Sequence, residues 1–227
     1  MTAAVRQTAA RRRWRRLRLA ALLLLLALLA LFLAAGAAAT CRPSWYRPAS
    51  IDYSRLERDK HAQLQLENQI SAALNKGRSI EIELEQSQVN RWIAGRAELW
   101  PGEAPSLAPF ARPQVEFLRG RRVRVGALWE RSGLAVVLSV TLHVELENGV
   151  LVISWDAVRA GVLPVPAGLL ENAARRLAHR LDLPESAVTD RTIAVPAEWT
   201  WPNGERRFRV TEVESDEGVL RATLTPL

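Results

Sequence analysis

Three glutamates are the residues best spaced to do chemistry. Glu81, Glu83 and Glu85 alternate with Ile80, Ile82 and Leu84. A strand there carries three carboxylates on one face and three apolar side chains on the other. Paired carboxylates can share acid–base work or hold a hard cation. They can also form a solvated strand face that meets arginine across a sheet, and that plainer reading is the expectation. The histidines, His61, His143 and His179, fall on three different predicted elements, with His143 opposite the apolar face of its strand and His179 on the polar side of its helix. The Gly-x-Ser-x-Gly elbow, the Gly-rich phosphate loop and His-Glu-x-x-His are all missing. Cys41 is the single cysteine, so no intramolecular disulfide forms and the chain beyond it has no thiol nucleophile or zinc-thiolate site. The expectation is a protein that is not an enzyme, without metal or cofactor.

Eight tryptophans are a high count for 227 residues. Trp92, Trp129 and Trp155 lie in predicted elements, and Trp100, Trp199 and Trp201 lie near proline-rich breaks. Aromatic rings beside loops can line a pocket for an apolar ligand, or simply fill a core or an edge. The candidate ligand-binding set is Trp92, Trp129 and Trp155 with Leu169, Leu170, Ala173 and Leu177, the last four from the apolar face of a predicted helix.

The net charge of +7 suggests nucleic acid until it is located. Residues 1–41 hold seven arginines (Arg6, Arg11, Arg12, Arg13, Arg15, Arg16 and Arg18) and no acid, which leaves 24 of the 31 basic residues to balance 24 acidic ones. Phosphate-backbone binding needs a cationic surplus on the folded part, and no such surplus exists in bulk. Nucleic acid is therefore not an expected partner. A local patch at Arg119, Arg121, Arg122 and Arg124 remains, with a solvated strand face or loop as its plainer reading.

Leu19 to Ala39 has no charged or strongly polar residue. As a helix this run is roughly 31 Å long, close to the hydrocarbon thickness of a bilayer. Arginines on its N-terminal flank keep that end in the cytoplasm, and Trp14 and Trp45 suit the two interfaces. Residues 1–18 thus read as a cytoplasmic tail and 19–40 as a transmembrane helix of the inner (cytoplasmic) membrane, with everything after it outside the cytoplasm. Two alternatives stay open. One is a cleaved signal peptide using Ala37-Ala38-Ala39, although the apolar core is long for that. The other is a lipoprotein acylated at Cys41, although Ala38-Ala39-Thr40-Cys41 departs from the usual Leu-Ala-Gly-Cys at two positions.

Residues 41–78 read as a linker and a stalk helix: Pro43 and Pro48 prevent regular pairing, and Leu56, Leu66, Ile70 and Leu74 then follow a helical stripe from Ile51 to Asn75. The domain proper is expected over 79–227. Ser87 is placed to cap a short helix with Val89, Trp92 and Ile93, and four prolines make 97–113 a loop. Strands are marked by Val115 and Phe117 and by Val123, Val125 and Trp129. The clearest strand has Val136, Leu138, Val140, Leu142, Val144 and Leu146 on one face. Asn148-Gly149 is a strong hairpin signal. Ala167 to Leu181 forms an amphipathic helix, a strand runs from Thr192 to Trp199, and a hairpin joins Phe208–Glu214 to Val219–Leu224. The predicted class is α+β: one N-terminal transmembrane helix followed by a curved antiparallel sheet with helices packed on one face.

The run SIEIELEQSQVNRWIA at Ser79–Ala94, a strand leading into a short helix with a Gln-x-Asn, resembles the YpmS-like membrane-anchored proteins. The hairpin ENGVLVIS at Glu147–Ser154, GVLPVPAGLL at Gly161–Leu170 and the closing hairpin RFRVTEVESDEGVLRATLTPL are further matches. Their order is similar to that in LmeA-type and AsmA-like envelope proteins. The resemblance implies a curved sheet with a helix that can hold an acyl chain. It carries no motif residue to a position here. The expected function is a single-pass membrane-anchored protein that binds lipid or another apolar ligand. The alternative is an envelope scaffold that binds another protein through a sheet edge or its Trp-bearing loops.

Overall fold

Alternation with a period of two starts at Ile80 and recurs to the C-terminus, and the chain answers it with eleven strands, all paired antiparallel among the described residues. The computed structural model describes residues 24–99, 110–131, 133–166, 191–201 and 206–227, with 168, 171, 175, 178, 179, 184 and 187–189 between them.

Helix α1 runs from residue 24, where the described residues begin, to residue 40. Among the described residues no helix is long and apolar enough to cross a membrane. The described part of α1 covers about 26 Å at 1.5 Å per residue, against about 30 Å of hydrocarbon. Residues 19–23 of the expected span, the arginine-rich tail and Trp14 lie outside the described residues.

Helix α2 (Tyr53–Asn75) starts where Asp52 accepts a bond from the Ser54 N–H, an ordinary N-cap. It buries Ile70 and Leu74 against Phe208 and Leu224. Strand β1 (Ile80–Glu85) leads directly into α3 (Gln86–Ala94). Ser87 does not cap α3: the cap position is Glu85, whose side chain makes no capping bond. A one-turn helix α4 (Arg96–Leu99) follows, and β2 (Phe110–Leu118) begins inside the stretch expected to be a loop. Pro113 is tolerated in β2 because the register shifts between Ala111 and Gln114, and a bulge needs no ladder N–H there.

The expected single sheet is two. The larger has the order β2-β3-β4-β5-β8-β7, built from β3 (Arg122–Arg131), β4 (Leu134–Glu147), β5 (Val150–Ala160), β7 (Val188–Thr189) and β8 (Thr192–Pro196), with β6 (Leu163–Pro164) paired to β5. The smaller has the order β1-β11-β10-β9, with β9 (Glu198–Thr200), β10 (Arg207–Asp216) and β11 (Val219–Pro226). The predicted strand Thr192–Trp199 is split at Ala197, where the chain leaves one sheet for the other. Ala197 is fully buried, donates to Gly149 O and accepts from Val210 N, so only a small side chain fits this crossing. The turn at Asn148-Gly149 has positive φ at both residues, as a tight hairpin requires.

The larger sheet is buried on both faces, not one. Trp155, Ile193, Val188 and Ala178 form a core on the predicted apolar face, with Val140 and Leu142 packed against it. On the opposite face Val137 and Leu128 are covered by Tyr46. The segment after α1 therefore lies on the sheet and does not run free of it.

Candidate functional site

The expected apolar site is distributed along one sheet face. Trp155 is buried in the core with Ala178, and its indole Nε1 has no partner among the described residues. Trp129 is half buried, opposite Phe110 on β2 and Val136 on β4. Trp155 lies opposite Leu142, six positions along β4 from Val136, or roughly 20 Å. The two rings thus mark the two ends of a row, not one pocket. Between them Leu138 and Val140 of β4 and Val125 and Ala127 of β3 are half buried. Trp92 is buried on α3, also with an unpartnered Nε1. Leu169, Leu170, Ala173 and Leu177 lie outside the described residues. Gly168, Glu171, Arg175, Ala178 and His179 around them are helical.

Glu81, Glu83 and Glu85 sit on an exposed face of the smaller sheet. Arg221, directly across from Glu83, reaches it at 2.8 Å. No cluster of His, Cys, Asp or Glu among the described residues is arranged to hold a metal ion. The arginines of the β2–β3 hairpin do not form one patch. Arg119 turns to Asp216 at 3.1 Å, and the Glu217 N–H together with that ion pair holds the Asp216 carboxyl below the usual range.

The amide pair of α3 closes the edge of the larger sheet. Asn90 accepts from Val115 N and donates to Val115 O, both at 2.8 Å, and Gln86 accepts from Phe117 N at 2.8 Å. The spacing explains the match: four helical residues rise about 6 Å and two strand residues about 6.7 Å. Gly218 N donates to Phe117 O, Ser215 Oγ to Leu118 O and the Tyr46 hydroxyl to Arg112 O. The outward polar groups of Val115 and Phe117 are thus paired, and the Gln86 and Asn90 side chains of α3 protect this stretch of the edge.

A pocket of about 390 Å³ lies on the other face of the larger sheet, lined by Trp45, Arg122, Arg124, Ser139, Asp156 and Arg159 among others. Trp45 forms its wall, and Gly126 makes room for the ring: a Cβ there would stand 2.5 Å from Trp45 Cη2. Gln114 Nε2 donates to Trp45 O at 3.1 Å. Arg124 stacks over the Trp45 ring at 5.2 Å and pairs with Glu116 at 2.8 Å. Asp156 is the extra residue of a bulge between the β4 and β5 registers, which turns it into the pocket. Neither Arg122, Arg159 nor Asp156 has an ion-pair partner among the described residues.

The end of α1 meets the lining of this pocket at Gly161 and Val162. Val162 N donates to Ala38 O at 3.2 Å, and a Cβ on Gly161 would stand 2.3 Å from Ala39 O. Gly161 has φ of +60°, which suits glycine and no bulky residue. Sequence reasoning missed this pocket. Arg122 and Arg124 share β3 and belong to the local basic patch of the sequence, but Arg159 comes from β5, and Gly126 inside β3 was the other local signal.

No protein-family model matches the chain, and no curated protein or solved structure does either.

Proposed function

We propose that the protein is a single-pass protein of the inner (cytoplasmic) membrane, its N-terminus in the cytoplasm and its α+β domain seated on the outer face of the bilayer, where it binds lipid without acting as an enzyme. The observation that carries this reading is where exposed apolar surface collects. Leu24, Leu25, Leu26, Leu28, Leu29, Leu31, Phe32 and Leu33 of α1 are 51 to 77% exposed. Left in water, these eight side chains would forgo on the order of 10 kcal/mol of transfer free energy. Among the described residues, the exposed large apolar residues of the larger sheet and its turns are Phe110, Leu134 and Val162, and all three lie at the end where α1 terminates. Both features suit a domain that rests against lipid.

The row from Trp129 to Trp155 starts at that same end, so an acyl chain has a half-buried apolar track leading away from the bilayer. This agrees with the ligand class that the YpmS-like, LmeA-type and AsmA-like resemblance implies. A scaffold that pairs through the β2 edge is disfavoured, because that edge is already satisfied.

Cys41 tests the placement. It is exposed at the end of α1 and is the only cysteine in the chain. In spheroplasts a membrane-impermeant maleimide is expected to label it while an N-terminal tag stays protected and attached. Loss of the tag indicates a cleaved signal peptide, a blocked thiol indicates acylation, and labelling only after lysis overturns the orientation. Native mass spectrometry of the full chain tests the ligand: co-purified lipid is expected, and a clean apo mass would sink the lipid reading.

A further inference from the structure

We propose that the pocket beneath Trp45 binds the phosphate of an anionic phospholipid headgroup in the leaflet from which α1 emerges. The site is distinct from the apolar track, since it lies on the opposite face of the larger sheet. Its charge balance carries the first argument. Arg124 is neutralised by Glu116 at 2.8 Å. Arg122, whose Nε donates to Arg119 O at 3.0 Å, and Arg159 line the pocket with one carboxylate, Asp156. The surplus is one positive charge, which matches the single negative charge of a phosphodiester. Guanidinium forks fit phosphate oxygens by paired donation, and Ser139 and Thr141 in the lining add hydroxyls.

Position supplies the second argument. Gly161 and Val162 line the pocket and touch the last carbonyls of α1. A helix that ends at the bilayer surface therefore places the pocket at headgroup depth. Trp45, five residues after Thr40 at the end of α1, is an amphipathic ring at that depth. A volume of about 390 Å³ admits a headgroup and not a whole lipid. The proposal rests on the reading of α1 as the membrane anchor, because free phosphate would need no such placement.

The test uses the full chain in nanodiscs of phosphatidylcholine, with and without an equal part of phosphatidylglycerol, followed by native mass spectrometry. One retained phosphatidylglycerol that phosphatidylcholine does not replace is expected. Arg122→Ala with Arg159→Ala is expected to lower its retention about ten-fold or more, since a charged hydrogen bond is worth about 1.5–3 kcal/mol and 1.4 kcal/mol is ten-fold. Equal retention of both lipids, or a double variant that retains phosphatidylglycerol as well as the parent, overturns the proposal. If the double variant does not fold, Arg159→Ala alone, at an exposed position, carries the same comparison. Millimolar inorganic phosphate is expected to leave the adduct in place. Displacement by phosphate would make this a free-anion site and overturn the headgroup assignment. Alkaline carbonate extraction of the source membranes separates the two readings. A chain that stays in the membrane but shows no selective adduct refutes the pocket alone, whereas a released chain refutes the anchor.

Discussion

Asn90→Ala removes one side chain and strands two backbone groups, so its cost can be worked from the geometry. Asn90 is buried, and both of its bonds to Val115 measure 2.8 Å. A backbone group left dry and unpaired costs about 1–3 kcal/mol. Val115 is half buried, so water recovers part of that, and a total of about 3 kcal/mol is expected. Gln86→Ala loses one bond, to Phe117 N, and should cost about 1 kcal/mol. Ser87→Ala touches exposed groups alone and should stay within about 0.5 kcal/mol. Guanidinium titration of the full chain in detergent, followed by tryptophan fluorescence, orders the three. Asn90→Asp adds a check with a sign: the carboxylate keeps the bond from Val115 N but faces Val115 O without a proton. Its cost should shrink when the pH falls far enough to protonate it. An Asn90→Ala variant no weaker than Ser87→Ala would refute the edge-closing argument.

The remaining predictions concern the pocket wall, the α1 seat and pH. Gly126→Ala puts a methyl 2.5 Å from the Trp45 ring and is expected to cost about 2 kcal/mol by overpacking; unchanged stability in the same titration would contradict the close approach. Gly161→Ala brings a methyl against Ala39 O in a positive-φ conformation, so it should release the segment after α1 and speed chymotrypsin cleavage after Trp45 and Tyr46; an unchanged digestion rate counts against the seat. Burial pushes the Tyr46 phenol above its ordinary value, and the neutral hydroxyl donates to Arg112 O at 2.6 Å. A raised folded pKa means this contribution is present below the unfolded value of about 10 and lost as pH rises through the folded one. Melting temperature should therefore drop above about pH 10, and less steeply in Tyr46→Phe. Glu198, bonded by Arg209, and Asp216, bonded by the Glu217 N–H and Arg119, are held below the usual carboxylate range. Their contribution is present above the unfolded values and lost as pH falls through the folded ones.

Local patterns carried the elements well. Ile51 to Asn75 is a helix to within two residues at its start, and Asn148-Gly149 is the tight turn that its composition demands. The mixed α+β class and antiparallel pairing were legible from period-two runs joined by hairpins. The second sheet was not, because a run such as Thr192–Trp199 keeps its alternation while Ala197 passes between layers. Periodicity reports which side chains share a face and is silent on which neighbour that face meets. The same limit hid the pocket. Arg122, Arg124 and Arg159 are adjacent through pairing across β3, β4 and β5, and the bulge that turns the exposed Asp156 toward the pocket has no composition of its own. Pro113 misled in the opposite direction, since a proline at a bulge looks like the end of a strand.

The two faces of the larger sheet divide the work that the reading assigns to it. One face presents Trp129, Val136, Leu138 and Val140, and the other presents Arg122, Arg124, Ser139 and Arg159, with the turn of Gly161 and Val162 at the rim. A strand alternates its side chains, so each residue of β4 that lengthens the apolar track also lengthens the polar wall behind it. Apolar and charged ends of one ligand class can thus be met by a single twisted layer only if both faces open on the same boundary. The seat of α1 at that rim supplies the boundary. Trp45 and Tyr46 press onto the sheet directly after α1 and form no free linker; under the proposed anchoring, a loose tether would let the rim leave the bilayer, and both faces would lose their access together.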